Sequence, residues 1–211
     1  MDTPFWLDEP TRPVESGSQG KVDVAIIGAG VTGVSCAIAL ARGGLGVRVH
    51  DARGIAEGAS GRNGGFALRG GAARYDVARE TYGAEAAKEL WQRTEAALDR
   101  LEAVAGNAFR RTGSLRLAAD DEERDDIRLE YEALHEDGFA AEWRDELPHL
   151  RPEFRGAIFH PPDGSLQPGR FVRHLAELAA AEGVAFQEHQ RVASLDELDA
   201  FVADVVRRLT S

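Results

Sequence analysis

Thiols are almost missing from this chain. Its 211 residues include one cysteine, Cys36, and one methionine. A single thiol excludes an internal disulfide and fits a reducing compartment. Positive charge is also scarce: 25 Lys and Arg face 36 Asp and Glu, a formal net charge of −11. A surface of that sign repels nucleic acid, so no nucleic-acid partner is expected. The opening MDTPFWLDEPTRP lacks the basic and apolar regions of a secretory signal. Long apolar runs are missing too, with one exception. Residues 24–41, VAIIGAGVTGVSCAIALA, carry no charge and reach the minimum length of a membrane span. Three glycines inside that run disfavour a span, and the expectation is a soluble cytoplasmic protein. Metal-ligand spacing is lacking among the histidines at 50, 135, 149, 160, 174 and 189, so no metal is expected. There is no internal repeat.

What is present is a βαβ pattern. Val22 to Ile27 is a short β-branched run that reads as a buried strand. Val31 to Arg42 reads as a helix of small residues closed by Gly43 and Gly44. Gly46 to His50 reads as a second strand ending at Asp51. This arrangement predicts a parallel sheet with a right-handed crossover. Cys36, on the helix, is expected to be a small core residue. Further on, apolar spacing through Leu90, Thr94, Leu98 and Leu101 predicts one helix over about residues 76–104. A strand is expected within Arg110–Ala118. A charged helix follows over 120–136, with Ile127, Tyr131 and Leu134 on one face. Short strands are expected at 141–143, 156–160 and 184–187. A helix carrying Phe171, Leu175, Leu178 and Ala179 precedes the last of them. Trp91 and Trp143 read as packing residues; Arg69 and Arg74 are candidates to meet a substrate carboxylate, with a surface position the commoner outcome for such arginines.

Gly28-Ala29-Gly30-Val31-Thr32-Gly33 matches G-x-G-x-x-G between the first strand and the helix. Each glycine has a physical role there. Gly28 permits the tight turn, Gly30 lets a pyrophosphate approach the backbone, and Gly33 lets the helix pack on the strand. The helix N-terminus supplies free N–H groups and partial positive charge. Asp51, 18 residues after Gly33, is suited to accept hydrogen bonds from the ribose hydroxyls of an adenosine. It would also repel a 2′-phosphate. The turn alone leaves FAD and NAD open, the NAD-binding domain being the weaker reading. The loop GASGRNGG at 58–65 adds weight to FAD. Ser60 and Arg62 are candidates to bond phosphate oxygens, and the glycines at 61, 64 and 65, on either side of Asn63, let N–H groups face a flat isoalloxazine without a Cβ in the way.

Taken together, VDVAIIGAGVTGVSCAIALARGG, VRVHDAR and GASGRNGGF resemble the D-amino-acid oxidase/glycine oxidase superfamily of FAD-dependent oxidoreductases. Within it, the chain is most similar to the γ-glutamylputrescine oxidase-like branch. PFWLDEP, GSLRLA and AIFHPPDGSLQPGRFVRHLAELAAAEGV resemble further segments of that branch. The resemblance implies an α/β fold, with a Rossmann-like FAD-binding β-α-β core and part of an antiparallel substrate-domain sheet. The expected divisions are an arm at 1–21, the FAD-binding unit, flavin loop and helix at 22–109, a partial substrate or cap region at 110–169, and a return segment at 170–211. It assigns Gly28, Gly30, Gly33, Asp51, Ser60, Arg62, Asn63 and Gly64 to the cofactor, and Val192 to the adenine. It also implies oxidation of a C–N bond in a small amine or amino acid, with hydride passing to flavin N5 and oxygen as acceptor. No catalytic side chain is obligatory for that chemistry.

Relatives of this kind continue well past the adenine-contacting segment. The ending SLDELDAFVADVVRRLTS instead reads as an amphipathic helix with a Ser194/Glu197 capping box. The expectation is therefore a fragment whose incomplete sheet invites association. A remnant that binds nucleotide or a partner without turnover is the alternative.

Overall fold

The computed structural model describes residues 5–9, 14, 20–147 and 153–193. The expected helix over 194–211 lies outside the described residues. The chain divides into two compact units, Met1–Asn63 with Pro168–Ser211, and Gly64–Gln167.

The first unit is built on parallel strands. β1 (Val24–Ile27) leads into α1 (Val31–Arg42), which returns the chain to β2 (Val47–His50). β1 and β2 pair in parallel from Val24↔Val47 to Ile27↔His50. Val47 and Val49 are buried, as is Val34 of α1. The helix ends where expected: the Gly43 N–H reaches Ala39 O, and the Gly44 N–H reaches Ala41 O. Cys36 corrects its expectation. It is exposed, because the buried face of α1 runs through Val34 and Ala37 instead.

The second unit begins with β3 (Phe66–Ala67) and two helices, α2 (Tyr75–Tyr82) and α3 (Ala84–Ala105). One continuous helix was expected over 76–104. Gly83, at φ +86°, breaks it, a conformation that costs glycine little. The buried face of α3 is also rotated from the expected stripe. It runs through Ala87, Trp91, Leu98 and Ala105, while Leu90 and Val104 are exposed. Trp91 packs against Tyr75 with ring centroids 4.9 Å apart. β4 (Phe109–Arg110) and β5 (Ser114–Ala118) follow in two different sheets.

Asp120 caps α4 (Asp121–Glu136) by accepting the Glu123 N–H at 2.8 Å. Ile127 and Leu134 are buried as expected, and Glu130 is buried beside them. β6 (Glu142–Arg144) and β7 (Gly156–His160) complete the antiparallel sheet β5-β7-β6. The turn at 161–163 delivers β8 (Gly164–Leu166), which pairs antiparallel with β3 and β4. The helices α2 and α3, grouped with the first strands in the sequence reading, lie within this second unit.

The chain then rejoins the first unit. α5 (Pro168–Ala181) buries Phe171, Val172, Leu175, Ala176 and Ala179, while Leu178 is only half-buried. β9 (Ala185–Gln187) adds a third parallel strand beside β2, giving the order β1-β2-β9. This parallel sheet and the two antiparallel sheets match the expected α/β class with a Rossmann-like core.

Candidate functional site

The glycine turn between β1 and α1 owes its shape to contacts that no other residue allows. Gly28 sits at φ +106°, and its N–H donates to the His50 carbonyl at 2.7 Å. A Cβ at Gly33 would collide with the Gly28 carbonyl oxygen and press on the Ile26 side chain, so helix and strand pack at backbone distance. A Cβ at Gly30 would stand 2.9 Å from Ser60 Oγ. The Ser60 hydroxyl accepts the Val31 N–H at 3.0 Å, which ties the loop after β2 to the first turn of α1. The N–H groups of Thr32 and Gly33 have no partner among the described residues. They stand at the positive end of a 12-residue helix.

Asp51 is a second fastener. Its Oδ2 accepts the Ala29 N–H at 2.7 Å, and its Oδ1 accepts the Arg53 N–H at 2.8 Å. Each carboxylate oxygen retains a further lone pair for a ribose hydroxyl. The Asp51 carbonyl takes the Gln190 N–H, and the Arg53 carbonyl takes the His189 N–H. The chain after β9 therefore lies along residues 51–53, with Val192 exposed two residues beyond Gln190. Gly28, Gly30, Gly33, Asp51 and Ser60 thus converge on one turn.

The rest of the loop is organised by its own polar groups. Arg62 Nε donates to the Glu57 carbonyl at 2.7 Å, and Asn63 Nδ2 donates to the Ser60 carbonyl at 2.9 Å. The Arg62 and Asn63 side chains are exposed. Trp6 of the N-terminal segment donates to the Asn63 carbonyl at 2.8 Å. Gly61 differs from the expectation that its N–H faces the flavin: that group bonds the Gly58 carbonyl. Glycine is needed at 61 because a Cβ would collide with the Ala56 carbonyl oxygen. Gly64 opens the second unit, where a Cβ would meet the Phe66 ring at 2.8 Å.

Sequence reasoning missed two acids that hold this loop. Glu57 accepts the Gly54 N–H, a local contact that its spacing of three residues makes legible. Glu188 accepts the Ile55 N–H across 133 residues of sequence, and no motif signals that. Ala56, at φ +68° and fully buried, was also missed.

The second unit contains a buried polar network of its own. Arg69, expected at the surface, has a side chain only 1% exposed. Its guanidinium reaches Glu95 at 2.6 Å, the Ala140 carbonyl at 3.0 Å and His160 Nδ1 at 3.1 Å. Asp163 accepts the Arg69 N–H and the Ser114 hydroxyl. Burial, reinforced by the Arg69 charge, pushes His160 down to about 4 and keeps it neutral. Arg74 pairs with Asp76 and Asp126. Burial pushes Glu130 up from the usual carboxylate range, partly offset by Arg116 and the Tyr75 N–H.

The family model described as DAO, FAD dependent oxidoreductase, matches residues 23–210. The chain belongs to this family. FAD is the cofactor of the family, and the turn, the acid after β2 and the loop capping α1 are the parts of this member described above. Among curated relatives, a “probable oxidoreductase OrdL” of Haemophilus influenzae is 28% identical over 190 residues, 85% of this chain and 44% of that protein. The γ-glutamylputrescine oxidoreductase of Escherichia coli is 43% identical over 68 residues, 32% of this chain and 16% of that protein. The chain thus spans less than half the length of these relatives.

Solved structures with the same fold include glycine oxidase from Geobacillus kaustophilus, with a TM-score of 0.62 at 23% identity, covering 81% of this chain and 47% of that one. Another is L-α-glycerophosphate oxidase from Mycoplasma pneumoniae with FAD bound, with a TM-score of 0.63 at 19% identity, covering 82% and 46%. Among the described residues, no helix of this family member is long and apolar enough to cross a membrane.

Proposed function

We propose that this chain binds FAD at the β1–α1 turn and supplies the cofactor-binding part of a cytoplasmic oxidoreductase acting on a small amine or amino acid. One observation carries the reading: α1 presents the free N–H groups of Thr32 and Gly33 beside Gly30, a cradle that any Cβ would fill. A pyrophosphate needs such a surface, because its oxygens must meet N–H groups at hydrogen-bond distance. In this reading Ser60 Oγ accepts the Val31 N–H and turns its own proton toward a phosphate oxygen. Asp51 accepts the ribose hydroxyls while holding Ala29. Val192 covers the adenine. The exposed Arg62, Asn63 and Gly64 meet the flavin side. When bound, FAD supplies two-electron oxidation of a C–N bond, with oxygen as the final acceptor.

The purified chain is expected to be yellow, or to take up added FAD with quenching of flavin fluorescence. A colourless protein that ignores FAD and shows no shift in melting temperature with it refutes the proposal. A second reading is FAD binding without turnover by a fragment. It is favoured by the 44% share of the Haemophilus influenzae relative that the chain spans. Hydrogen peroxide formed on addition of amines or amino acids to the FAD-loaded chain excludes that reading.

A further inference from the structure

The second unit holds a cavity of about 300 Å³, lined only by residues of that unit. That volume suffices for a small molecule. Its lining contains one acceptor and one donor that the fold leaves unused. The acceptor is Glu130 Oε2. The Glu130 side chain is only 3% exposed, and its Oε1 accepts the Tyr75 N–H at 3.2 Å. Oε2 has no hydrogen-bond partner among the described residues: Arg116 stands 3.1 Å away, but out of line for a hydrogen bond. A buried oxygen left in that state is costly. The donor is on His160. The Arg69 guanidinium can only donate, so its 3.1 Å contact makes His160 Nδ1 the acceptor. The proton of the neutral ring is thereby assigned to Nε2, an N–H with no partner among the described residues.

The antiparallel register brings the two together. Arg116 faces Ile158 and Ser114 faces His160, so Arg116 and His160 are diagonal neighbours on one face of the sheet, roughly 7–8 Å apart. Glu130 meets that face at Arg116. A ligand that uses both groups must donate and accept at once. An ammonium only donates, and at Oε2 it would stand beside the Arg116 charge. A carboxylate or a ketone only accepts, so it gives an ionised Glu130 nothing. A hydroxyl does both through one atom. A carboxamide does both through two atoms that point apart, as bonding to groups on two different elements requires. Burial raises the Glu130 pKa, and a carboxamide suits either form: its NH2 donates to the carboxylate, and its carbonyl accepts from the acid. The rim is apolar and open: Phe66, Leu68 and Leu115 are 78%, 49% and 44% exposed.

We propose that this cavity is a binding site for a primary carboxamide carried on an apolar group, its NH2 donating to Glu130 Oε2 and its carbonyl accepting from His160 Nε2. The amide is terminal, so the apolar remainder lies toward Phe66, Leu68 and Leu115. The site is built from the second unit alone and does not rest on the flavin reading.

The full chain without added FAD is titrated by calorimetry with benzamide, benzyl alcohol, acetophenone, benzoate and benzylammonium, which share one ring and differ in what they donate, accept and carry as charge. Benzamide binds at least tenfold more tightly than each of the others. Glu130→Gln keeps an acceptor for the Tyr75 N–H and replaces Oε2 by a donor. It weakens benzamide tenfold or more and strengthens acetophenone, an inversion that a merely structural role for Glu130 would not produce. Leu115→Trp and Leu68→Trp narrow the mouth at exposed positions, and each weakens benzamide tenfold or more with an unchanged urea midpoint. These two variants and the ranking of the five probes decide the matter where Glu130→Gln does not fold. No benzamide binding by the folded chain, equal affinity for benzamide and acetophenone, an unchanged preference in folded Glu130→Gln, or unchanged affinity in both rim variants overturns the proposal. FAD uptake is measured on the same samples. A chain that takes up FAD and ignores benzamide overturns only the carboxamide site, and the reverse result overturns only the flavin reading.

Discussion

The two units hold their polar groups in opposite ways. In the first, the turn is made of backbone: glycines at collision distance, free N–H groups, and one carboxylate and one hydroxyl that fasten loop ends. In the second, charged side chains go inside, with Arg69, Glu130, His160 and Asp163 all buried and joined to one another or to main chain. A backbone site tolerates loss of a side chain and fails when a side chain is added. A buried ionic network fails when one member is removed, because the partner is left charged and unsolvated.

The sharpest break of this contrast is Arg69→Met. It strands Glu95, the Ala140 carbonyl and His160 Nδ1 together, with an expected loss of about 3–5 kcal/mol in stability. Hydrogen exchange should place the loss in residues 64–167, with the parallel strands still protected. Equal loss of protection in β1 and β2 would show that the units do not unfold separately.

Addition rather than removal is the test for the first unit. Gly33→Ala drives a Cβ into the Gly28 carbonyl, with an expected cost of about 3 kcal/mol, the upper end for overpacking, and loss of FAD uptake. Gly71→Ala is its counterpart in the second unit. Nothing lies within 4 Å of a Cβ there, so the urea midpoint should not move. A tolerated Gly33→Ala would remove the packing argument for the turn.

Acid separates the units by a different route. His160 has a folded-state pKa of about 4, below its ordinary 6.5. Between those values the unfolded chain takes up a proton and the folded chain does not, so stability present above pH 6.5 is lost as pH falls toward 4. The loss is on the order of 2–3 kcal/mol. Glu130 works against it. Its raised pKa means that the folded state binds the proton more tightly, so stability rises as pH falls through that pKa. The measurement is the difference in urea midpoint between wild type and His160→Asn from pH 7 to pH 4. A difference that stays constant removes the assignment of a neutral buried His160.

This contrast also explains what could be read in advance. The phosphate turn, β1, α1 and β2 were legible because steric rules act on neighbours in sequence: Gly28, Gly30 and Gly33 are spaced by the turn itself. Ser60 was legible as a residue but not as the partner of Val31, since 29 residues separate them. Arg69 was misplaced at the surface because composition cannot show that Glu95, Ala140 and His160 will surround it. The split at Gly83 was missed because the apolar spacing that predicts the helix, Leu90 to Leu101, lies wholly beyond it and says nothing of the break, which the positive φ marks. Local geometry leaves a pattern in the sequence, whereas a buried charge network closes only in three dimensions.

The smallest expected effect is the one that most sharpens the difference. Ser60→Ala removes the hydroxyl that accepts the Val31 N–H, in effect a helix cap supplied from a distant loop. Loss of such a cap costs about 1 kcal/mol, well below the figure for Arg69, and water can reach the exposed N–H left behind. FAD affinity should fall only several-fold, because Thr32 and Gly33 still present their N–H groups and Asp51 still holds Ala29. Urea unfolding and flavin-fluorescence titration of the one variant read both quantities. A stability loss as large as that of Arg69→Met would mean that the first unit, too, depends on a single buried side-chain bond, and the distinction between the units would fall.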